Sequence, residues 1–484
     1  MRSIVWFRGK DLRVTDHEPL TRAVADGDVI PLFVLDPFFF LPARAQELPH
    51  RMQFLLESIA SLRENIAALG SRLLLVSGKS HEVVPELARR FRADRVLAQR
   101  WTEPFGRARD EKVQAALGST RLILSEGETL MRPGSLRTGQ GGVFSVYTPF
   151  MRAHRKAYAE VTDRKPLRAP ARLPALPKDV ECTESALPTL ASLGLTHNPA
   201  LLPGGERAAR ERMKAFFKGP VKSYVETRDR MDLAGGSRLS QDLKFGLLSV
   251  REVWTAAGMS LTDGSVPREK FENELIWREF THHTLWDRPH LLKEPFRADF
   301  KGFPWRSDGP EALRDITAWK QGMTGYPVVD AAARQLLSEG FVHNRARMIA
   351  ASFLTKHLLI DYRWGEAHYL RYLTDGDWAQ NNAGWQWSAG CGCDAQPYFR
   401  VFNPVTQGEK FDPDGAYVRR WVPELAKMHA KYIHSPWQAP AEELARAGVT
   451  LGKSYPKPIV DHAAARARFL ATAARHLKPA VTPT

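Results

Sequence analysis

DGDWAQNNAGWQWSAGCGCDAQPYFR, residues 375–400, sets three acids, two asparagines, three tryptophans and a tyrosine side by side. No simple core needs that mixture. Asp375 and Asp377 can bind the polar edge and tail of a heterocycle, Asn381 and Asn382 can donate to ring atoms, and Trp385 and Trp387 offer flat faces for stacking or electron transfer. Such a kit suits a flavin opposite a nucleobase. Cys391-Gly392-Cys393 has no histidine or further cysteine near it at ligand spacing, so it reads as a tight turn rather than a metal or redox site. With Cys182 the chain has three cysteines, which cannot form a disulfide framework and agree with a reducing compartment.

Outward from this stretch, helical periodicity runs from Glu206 to about Leu477, as in Glu206 to Phe217, Gln241 to Ala257 and Ala331 to Leu337. Eleven of the thirteen tryptophans lie between Trp254 and Trp437, and most of them are expected to be core. From about Met131 to Gly205 the chain is rich in Pro, Gly, Arg and Ala with weak periodicity, which predicts a long surface linker. Before that, short apolar runs (Ile4 to Phe7, Val29 to Leu35, Leu73 to Val76, Val96 to Ala98, Leu122 to Leu124) alternate with amphipathic segments such as Met52 to Leu69 and His81 to Phe91. That is the βαβ rhythm of a parallel sheet. The expected architecture is an α/β doubly wound parallel-sheet domain over 1–130, a linker over 131–205, and an all-α domain over 206–477. Neither GxGxxG nor a Walker lysine loop is present, so a ligand of the first domain must be held otherwise.

At 484 residues the chain has ample interior for a large cofactor. It begins directly with a strand, without a charged region and apolar signal core, and no apolar run reaches membrane-spanning length. These features predict a cytoplasmic protein with no membrane partner. The formal charge is +15. Residues 1–130 carry 19 basic against 17 acidic residues, leaving 50 of the 69 basic and 37 of the 54 acidic residues to the rest, so the linker and helical part are expected to meet a polyanion.

Asn381-Asn382-x-x-Trp385-x-Trp387 is followed by Pro397-Tyr398-Phe399-Arg400-Val401-Phe402-Asn403-Pro404 and by Thr406-Gln407-Gly408-Glu409-Lys410-Phe411. Upstream stand Glu274-Leu275-Ile276-Trp277-Arg278-Glu279-Phe280, Thr324-Gly325-Tyr326-Pro327-Val328-Val329-Asp330-Ala331, and, at the start, Trp6-Phe7-Arg8 with Asp11-Leu12-Arg13. In this order, over nearly the whole chain, they resemble the cryptochrome/photolyase family, most closely its bacterial class I cyclobutane pyrimidine dimer members. The resemblance implies a light-driven flavoenzyme acting on UV-damaged DNA: a helical domain burying FAD, whose excited reduced form gives an electron to a flipped-out dimer, and an α/β domain able to hold an antenna chromophore. It implies a DNA partner, met by a monomer in the cytoplasm or on the nucleoid.

The resemblance assigns residues as well. Tyr224, Gly236, Ser237, Arg238, Leu239 and Ser240 match the family's flavin and pyrophosphate contacts, with Gly236 where threonine is common; read alone, the same residues form a loop and helix cap. Around the isoalloxazine the matches are Phe271, Arg278, Asn344, Arg347, Asp375, Asp377 and Asn381, with Arg347 and Asp375 as an ion pair and Asn381 near N5, where an amide can bond either protonation state. The lesion pocket matches Glu274, Trp277, Asn344, Arg345, Met348 and Trp387, with Glu274 on the thymine edge and the tryptophans walling the bases. The (6-4) members resemble this segment but carry histidines where this chain has Asn344 and Met348. His343 reads as a packing or capping group. Arg228, Arg278, Arg345 and Arg400 are expected near phosphates.

The chain departs from the family in its electron relay. Trp385 fits the first member and Trp305 the outer one, but the middle position is Tyr362, with Trp364 two residues on. In the antenna region, Phe105-Gly106 replaces the Asn-Glu of folate-binding members, which favours 8-hydroxydeazaflavin or FMN over methenyltetrahydrofolate. Two rivals remain. A cryptochrome-like photoreceptor without repair is opposed by the complete lesion pocket, and a generic nucleotide- and DNA-binding module leaves the tryptophan motifs unexplained.

Overall fold

The computed structural model describes residues 1–306 and 308–477. By compactness they form two units, Met1–Lys222 with Ser237–Pro289 and Thr374–Ala379, and Ser223–Gly236 with His290–Leu373 and the chain from Gln380 onward.

The first unit is built on a parallel sheet of β1 (Arg2–Phe7), β2 (Asp28–Leu35), β3 (Leu74–Ser77), β4 (Arg95–Gln99) and β5 (Arg121–Ser125), in the order β3-β2-β1-β4-β5. Each apolar run expected as a strand is one. Their continuous hydrophobicity reflects burial on both faces, as parallel sheets require. Ile4 pairs with Ile30 on one side and Val96 on the other, and Trp6, Leu32, Val84, Leu87 and Phe91 complete the core around them. Each such side chain contributes roughly 1.5–3 kcal/mol by leaving water. The chain winds outward from β1 in both directions, so the strand order switches between β1 and β4, where ligands of open α/β sheets bind.

The remainder of this unit is helical. The stretch expected as linker contains the regular helix Tyr147–Glu160, packed on helix Val266–Asp287. The helix expected from Gln241 to Ala257 is two helices, Ser240–Lys244 and Val250–Ser260. The break is Gly246, whose φ of +61° suits glycine and whose Cβ, if present, would lie 1.9 Å from the Lys10 carbonyl oxygen. A capping box of Ser249 and Glu252 restarts the helix.

The second unit is all helical around Trp319, Val329, Leu336, Ile349, Phe353, Leu358, Tyr369 and Trp385. Its motif Thr324 to Asp330 is architecture. The buried Asp330 accepts from Thr324 N (2.7 Å), Gly325 N (3.0 Å) and Tyr455 Oη (2.6 Å), which fixes the start of helix Pro327–Glu339. Helix Asn344–Ser352 runs into a π-helical turn, Phe353–His357, before helix Tyr362–Tyr372. Among the described residues no helix is long and apolar enough to cross a membrane.

Candidate functional site

In the first unit, helix Val266–Asp287 carries Glu274, Trp277 and Arg278 at i, i+3 and i+4, so all three share one face, and each is half-buried. The opposite face supplies the packing residues Leu275, Ile276 and Phe280. Trp277 stacks on Tyr147 with ring centroids 3.7 Å apart and planes 5° from parallel. Tyr147 is held by its hydroxyl, which donates to the Asn273 carbonyl at 2.9 Å. One indole face is therefore covered by Tyr147, and Phe280 meets the same ring edge-on at 5.7 Å. Tyr147 escaped the sequence reading because its neighbourhood is Pro- and Gly-rich; the local signal was its place in Val146-Tyr147-Thr148-Pro149-Phe150. Phe271 sits in a ring cluster with Phe216 and Phe217, at 5.4 and 5.3 Å.

Below the same helix lies a buried ionic cluster. The Lys10 ammonium is 2.9 Å from Glu103, 3.3 Å from Asp377 and hydrogen-bonded to Glu128. His282 joins it, with Nδ1 2.8 Å from Thr102 Oγ1 and Nε2 4.0 Å from Asp377. Burial opposes the ammonium's charge, but the three carboxylates outweigh it and hold Lys10 protonated far above its usual range. Burial pushes Glu103 up, while Lys10 brings Glu128 down to about 2 against the same burial. Burial, then Arg278, takes His282 down to about 4, so it is neutral at pH 7. Glu128, His282 and Asp377 have the donor types of a metal centre. The cation position among their carboxylates is filled by Lys10.

Toward the carboxyl ends of β1 and β2 a cleft of about 730 Å³, including the part open to solvent, is walled by Trp101, Phe39 and Phe105 and edged by Arg8, Arg51, Arg109 and Lys244. Arg8 and Arg109 share the single carboxylate of Asp110, at 2.5 and 3.0 Å. Burial, then Arg51 and Lys10, lowers Lys244 to about 7. Arg51 also donates to the Gly376 carbonyl at 3.2 Å, so one guanidinium touches both the cleft and the segment between the buried Asp375 and Asp377. Nearby, Arg238 has φ +54°, its carbonyl accepting from Gln241 Nε2 at 2.6 Å, while Leu239 is buried and Ser240 exposed.

In the second unit, Gly236 is open, with nothing within 4 Å of a Cβ placed there. Tyr224 is buried and lies 5.3 Å beneath the Arg228 guanidinium. The face of helix Trp378–Ala389 that starts at Asn381 is oriented by a residue the sequence reading passed over. Asn381 Nδ2 donates to the Glu366 carbonyl at 3.0 Å, and Asn382 Nδ2 donates to Glu366 Oε1 at 3.0 Å. A backbone carbonyl only accepts, so the amide end of Asn381 is fixed and its Oδ1 is the end left to face a ligand. Burial lifts Glu366 to about 7. Its spacing of sixteen residues from Asn382 shows no local pattern that could have marked it.

Trp385 is buried against Gly365, whose Cβ would meet its Cη2 at 2.2 Å. It makes edge contacts with Tyr369 (5.1 Å) and with Trp319 (5.9 Å). Trp319 donates from Nε1 to the Ala350 carbonyl at 3.1 Å. Tyr362 is buried with no partner for its hydroxyl among the described residues. Trp364 is 40% exposed, with Lys320 above its ring, and Trp305 packs on Phe303 and Phe300. Trp387 is half-buried.

Asn344 and Met348 touch, Nδ2 to Sδ 3.9 Å, one helical turn apart. His343 caps this helix by accepting from Arg345 N at 3.2 Å, as expected of a capping group. Arg345 pairs with Asp229 at 3.0 Å and lies over Phe411, Arg347 donates to the Val342 carbonyl at 2.7 Å, and Arg400 is exposed. Cys391 is the turn residue expected: its N–H and that of Gly392 both donate to the Gln386 carbonyl at 3.0 Å, closing the helix.

Residues 3–172 match the family model of DNA photolyase and residues 271–475 that of the FAD binding domain of DNA photolyase. The deoxyribodipyrimidine photo-lyase of Agrobacterium fabrum is 42% identical over 97% of this chain and 96% of its own length. Among solved structures, a bacterial class III photolyase from Agrobacterium tumefaciens has a TM-score of 0.89 at 40% identity, covering 99% of this chain and 98% of that one. A Synechocystis cryptochrome has 0.88 at 30%, covering 97% and 99%. A likeness this long, carried by both the parallel sheet and the helical part, makes the chain a member of the photolyase/cryptochrome family.

Proposed function

We propose that this protein is a deoxyribodipyrimidine photo-lyase, which binds UV-damaged DNA and splits cyclobutane pyrimidine dimers under blue or near-UV light. The observation that carries the reading is the shared, half-buried face of Glu274, Trp277 and Arg278, with the Trp277 ring held flat against Tyr147. Bound FAD supplies light absorption and the electron. The residues fit it: an open backbone at Gly236 beside the left-handed Arg238 for the pyrophosphate, buried Asp375 and Asp377 for the ring edge, and an Asn381 whose Nδ2 is committed to the Glu366 carbonyl, so that its Oδ1 is the end to accept from a ring N–H. Tyr224, Ser237, Leu239, Ser240, Phe271, Arg278, Asn344 and Arg347 complete this set, with Arg347 pairing Asp375.

At the lesion, Glu274 hydrogen-bonds the pyrimidine edge and steadies the charge that arrives there, Trp277 and Trp387 stack on the bases, and Asn344 and Met348 are the further lesion contacts that the family resemblance assigns. Arg228, Arg278, Arg345 and Arg400 hold phosphates, and Arg345 exchanges Asp229 for DNA. Electrons for photoreduction pass through Trp385. The edge contact of Trp319 with Trp385 favours Trp319 as the next member. Tyr362 is a poor one, because among the described residues its hydroxyl has no acceptor for the proton that oxidation releases. Trp364 and Trp305 are the candidate exits. The α/β domain over 1–130, with Lys244 and Phe245 completing the cleft wall, holds the antenna, and the aromatic, cation-rimmed cleft supports an anionic tricycle, 8-hydroxydeazaflavin or FMN, over a folate. Subclass does not alter the reaction, and the likeness to a class III structure weakens the class I assignment. The protein acts as a cytoplasmic monomer on the nucleoid.

The test is repair of a dimer-containing oligonucleotide under blue light by the reduced protein and by Glu274→Ala. Repair by the parent that falls at least ten-fold in the variant, roughly 1.4 kcal/mol of barrier, is expected. A parent that binds FAD yet repairs nothing is a photoreceptor instead.

A further inference from the structure

Lys356 lies where a charged side chain is out of place. It belongs to the π-helical turn Phe353–His357, is 0% exposed, and has no carboxylate partner among the described residues. Its Nζ makes one hydrogen bond, 2.8 Å to the Arg400 carbonyl, and otherwise lies 5.9 Å from the Phe469 ring centroid. Burying an amine is costly, and methionine would fill the same space without that cost. What lysine adds is the bond to Arg400.

That bond falls where the chain has few others. Residues 391–403 join helix Trp378–Ala389 to helix Pro404–Phe411 without regular structure. Their first part is tied down: Arg297 N donates to the Cys391 carbonyl and Gln396 Nε2 to the Ser388 carbonyl, both at 2.9 Å. From residue 397 to residue 402 the only hydrogen bond to another part of the unit, among the described residues, is the one from Lys356. Arg400 N turns back on the Pro397 carbonyl at 3.0 Å, and Tyr398, Val401 and Phe402 pack on the core. The Arg400 guanidinium is exposed and has no ion pair among the described residues, whereas Arg345 is paired with Asp229.

We propose that Lys356 is a positioning residue for DNA: from inside the core it fixes the backbone of Arg400, so that an exposed, unpaired guanidinium meets a phosphate from a set place. The proposal rests on the reading of Arg400 as a phosphate contact. A backbone fixed beforehand removes part of the ordering cost that a loose loop would meet on binding. Burial pushes Lys356 down to about 7, and charged or neutral it keeps an N–H for the carbonyl.

A double-mutant cycle in the FAD-loaded protein tests this, with binding to a dimer-containing duplex measured in the dark by fluorescence anisotropy over a salt series. Arg400→Ala is expected to weaken binding about ten-fold and to reduce the slope of log affinity against log salt by about one. Lys356→Met should weaken it about five-fold in the parent and leave it unchanged in the Arg400→Ala background, where no guanidinium remains to be placed. Lys356→Gln, one atom shorter but still a donor, should lose less than methionine does; the same cycle with glutamine decides the matter if Lys356→Met does not fold. Lys356→Met binding as tightly as the parent overturns the proposal. So does an equal loss in both backgrounds, which would make the lysine a packing residue only. Arg400→Ala binding like the parent removes the phosphate contact and the proposal with it, whereas a parent that binds FAD and repairs no dimers refutes the functional reading.

Discussion

Glu366→Gln isolates the group that aims Asn381. Burial holds the Glu366 carboxyl at about 7, above its ordinary 4.5. The folded pKa is the higher one, so the contribution to stability is complete below about 4.5, declines as pH rises through about 7, and stays reduced beyond it. At ~1.4 kcal/mol per pH unit of separation, the full decline is about 3 kcal/mol, of which about 2.5 falls between pH 5 and pH 8.5. Glutamine keeps an oxygen that accepts from Asn382 Nδ2, and the Asn381 bond goes to the backbone, so both contacts survive. Urea unfolding of parent and variant at the two pH values should therefore show the variant gaining on the parent by about 2–3 kcal/mol as pH rises. An identical difference at both pH values would refute the argument, because it would mean that Glu366 ionises as it does in the unfolded chain.

Two further outcomes follow from the aromatic packing. Trp319→Phe should slow flavin photoreduction by roughly ten-fold, a barrier rise of ~1.4 kcal/mol, while Tyr362→Phe changes it little; transient absorption in which only the tyrosine variant is slow would restore the route through Tyr362. Gly365→Ala puts a methyl against the Trp385 ring and should cost about 1–3 kcal/mol of stability by overpacking, which denaturant midpoints would reveal; an unchanged midpoint would mean the helix can shift freely.

The strands were legible because a sheet buried on both faces writes continuous apolar runs, and Glu274, Trp277 and Arg278 were legible because they stand in the motif Glu274 to Phe280 that carries the family resemblance. The helix break at Gly246 was not, since its cause is the carbonyl of Lys10, far away in the sequence. For the same reason Lys10 itself drew no attention: its partners Glu103, Glu128 and Asp377 are scattered along the chain. The motif Thr324 to Asp330 was visible as a motif, yet its use is to anchor a helix, which side-chain chemistry alone does not distinguish from a site.

The meeting of Gly246 with Lys10 also bears on how this protein can be taken apart. Lys244 and Phe245, on the same turn, form part of the cleft wall, and Leu12 N donates to the Phe245 carbonyl at 3.3 Å while Arg13 donates to that of Gly246 at 2.9 Å. A fragment ending after β5 would carry all the strands but lack this wall and leave the loop after β1 unanchored. The sheet is thus not a portable cassette: a transplant or truncation that keeps a ligand in the cleft must bring along the turn around residue 246, and during synthesis the cleft stays unfinished until that turn has emerged.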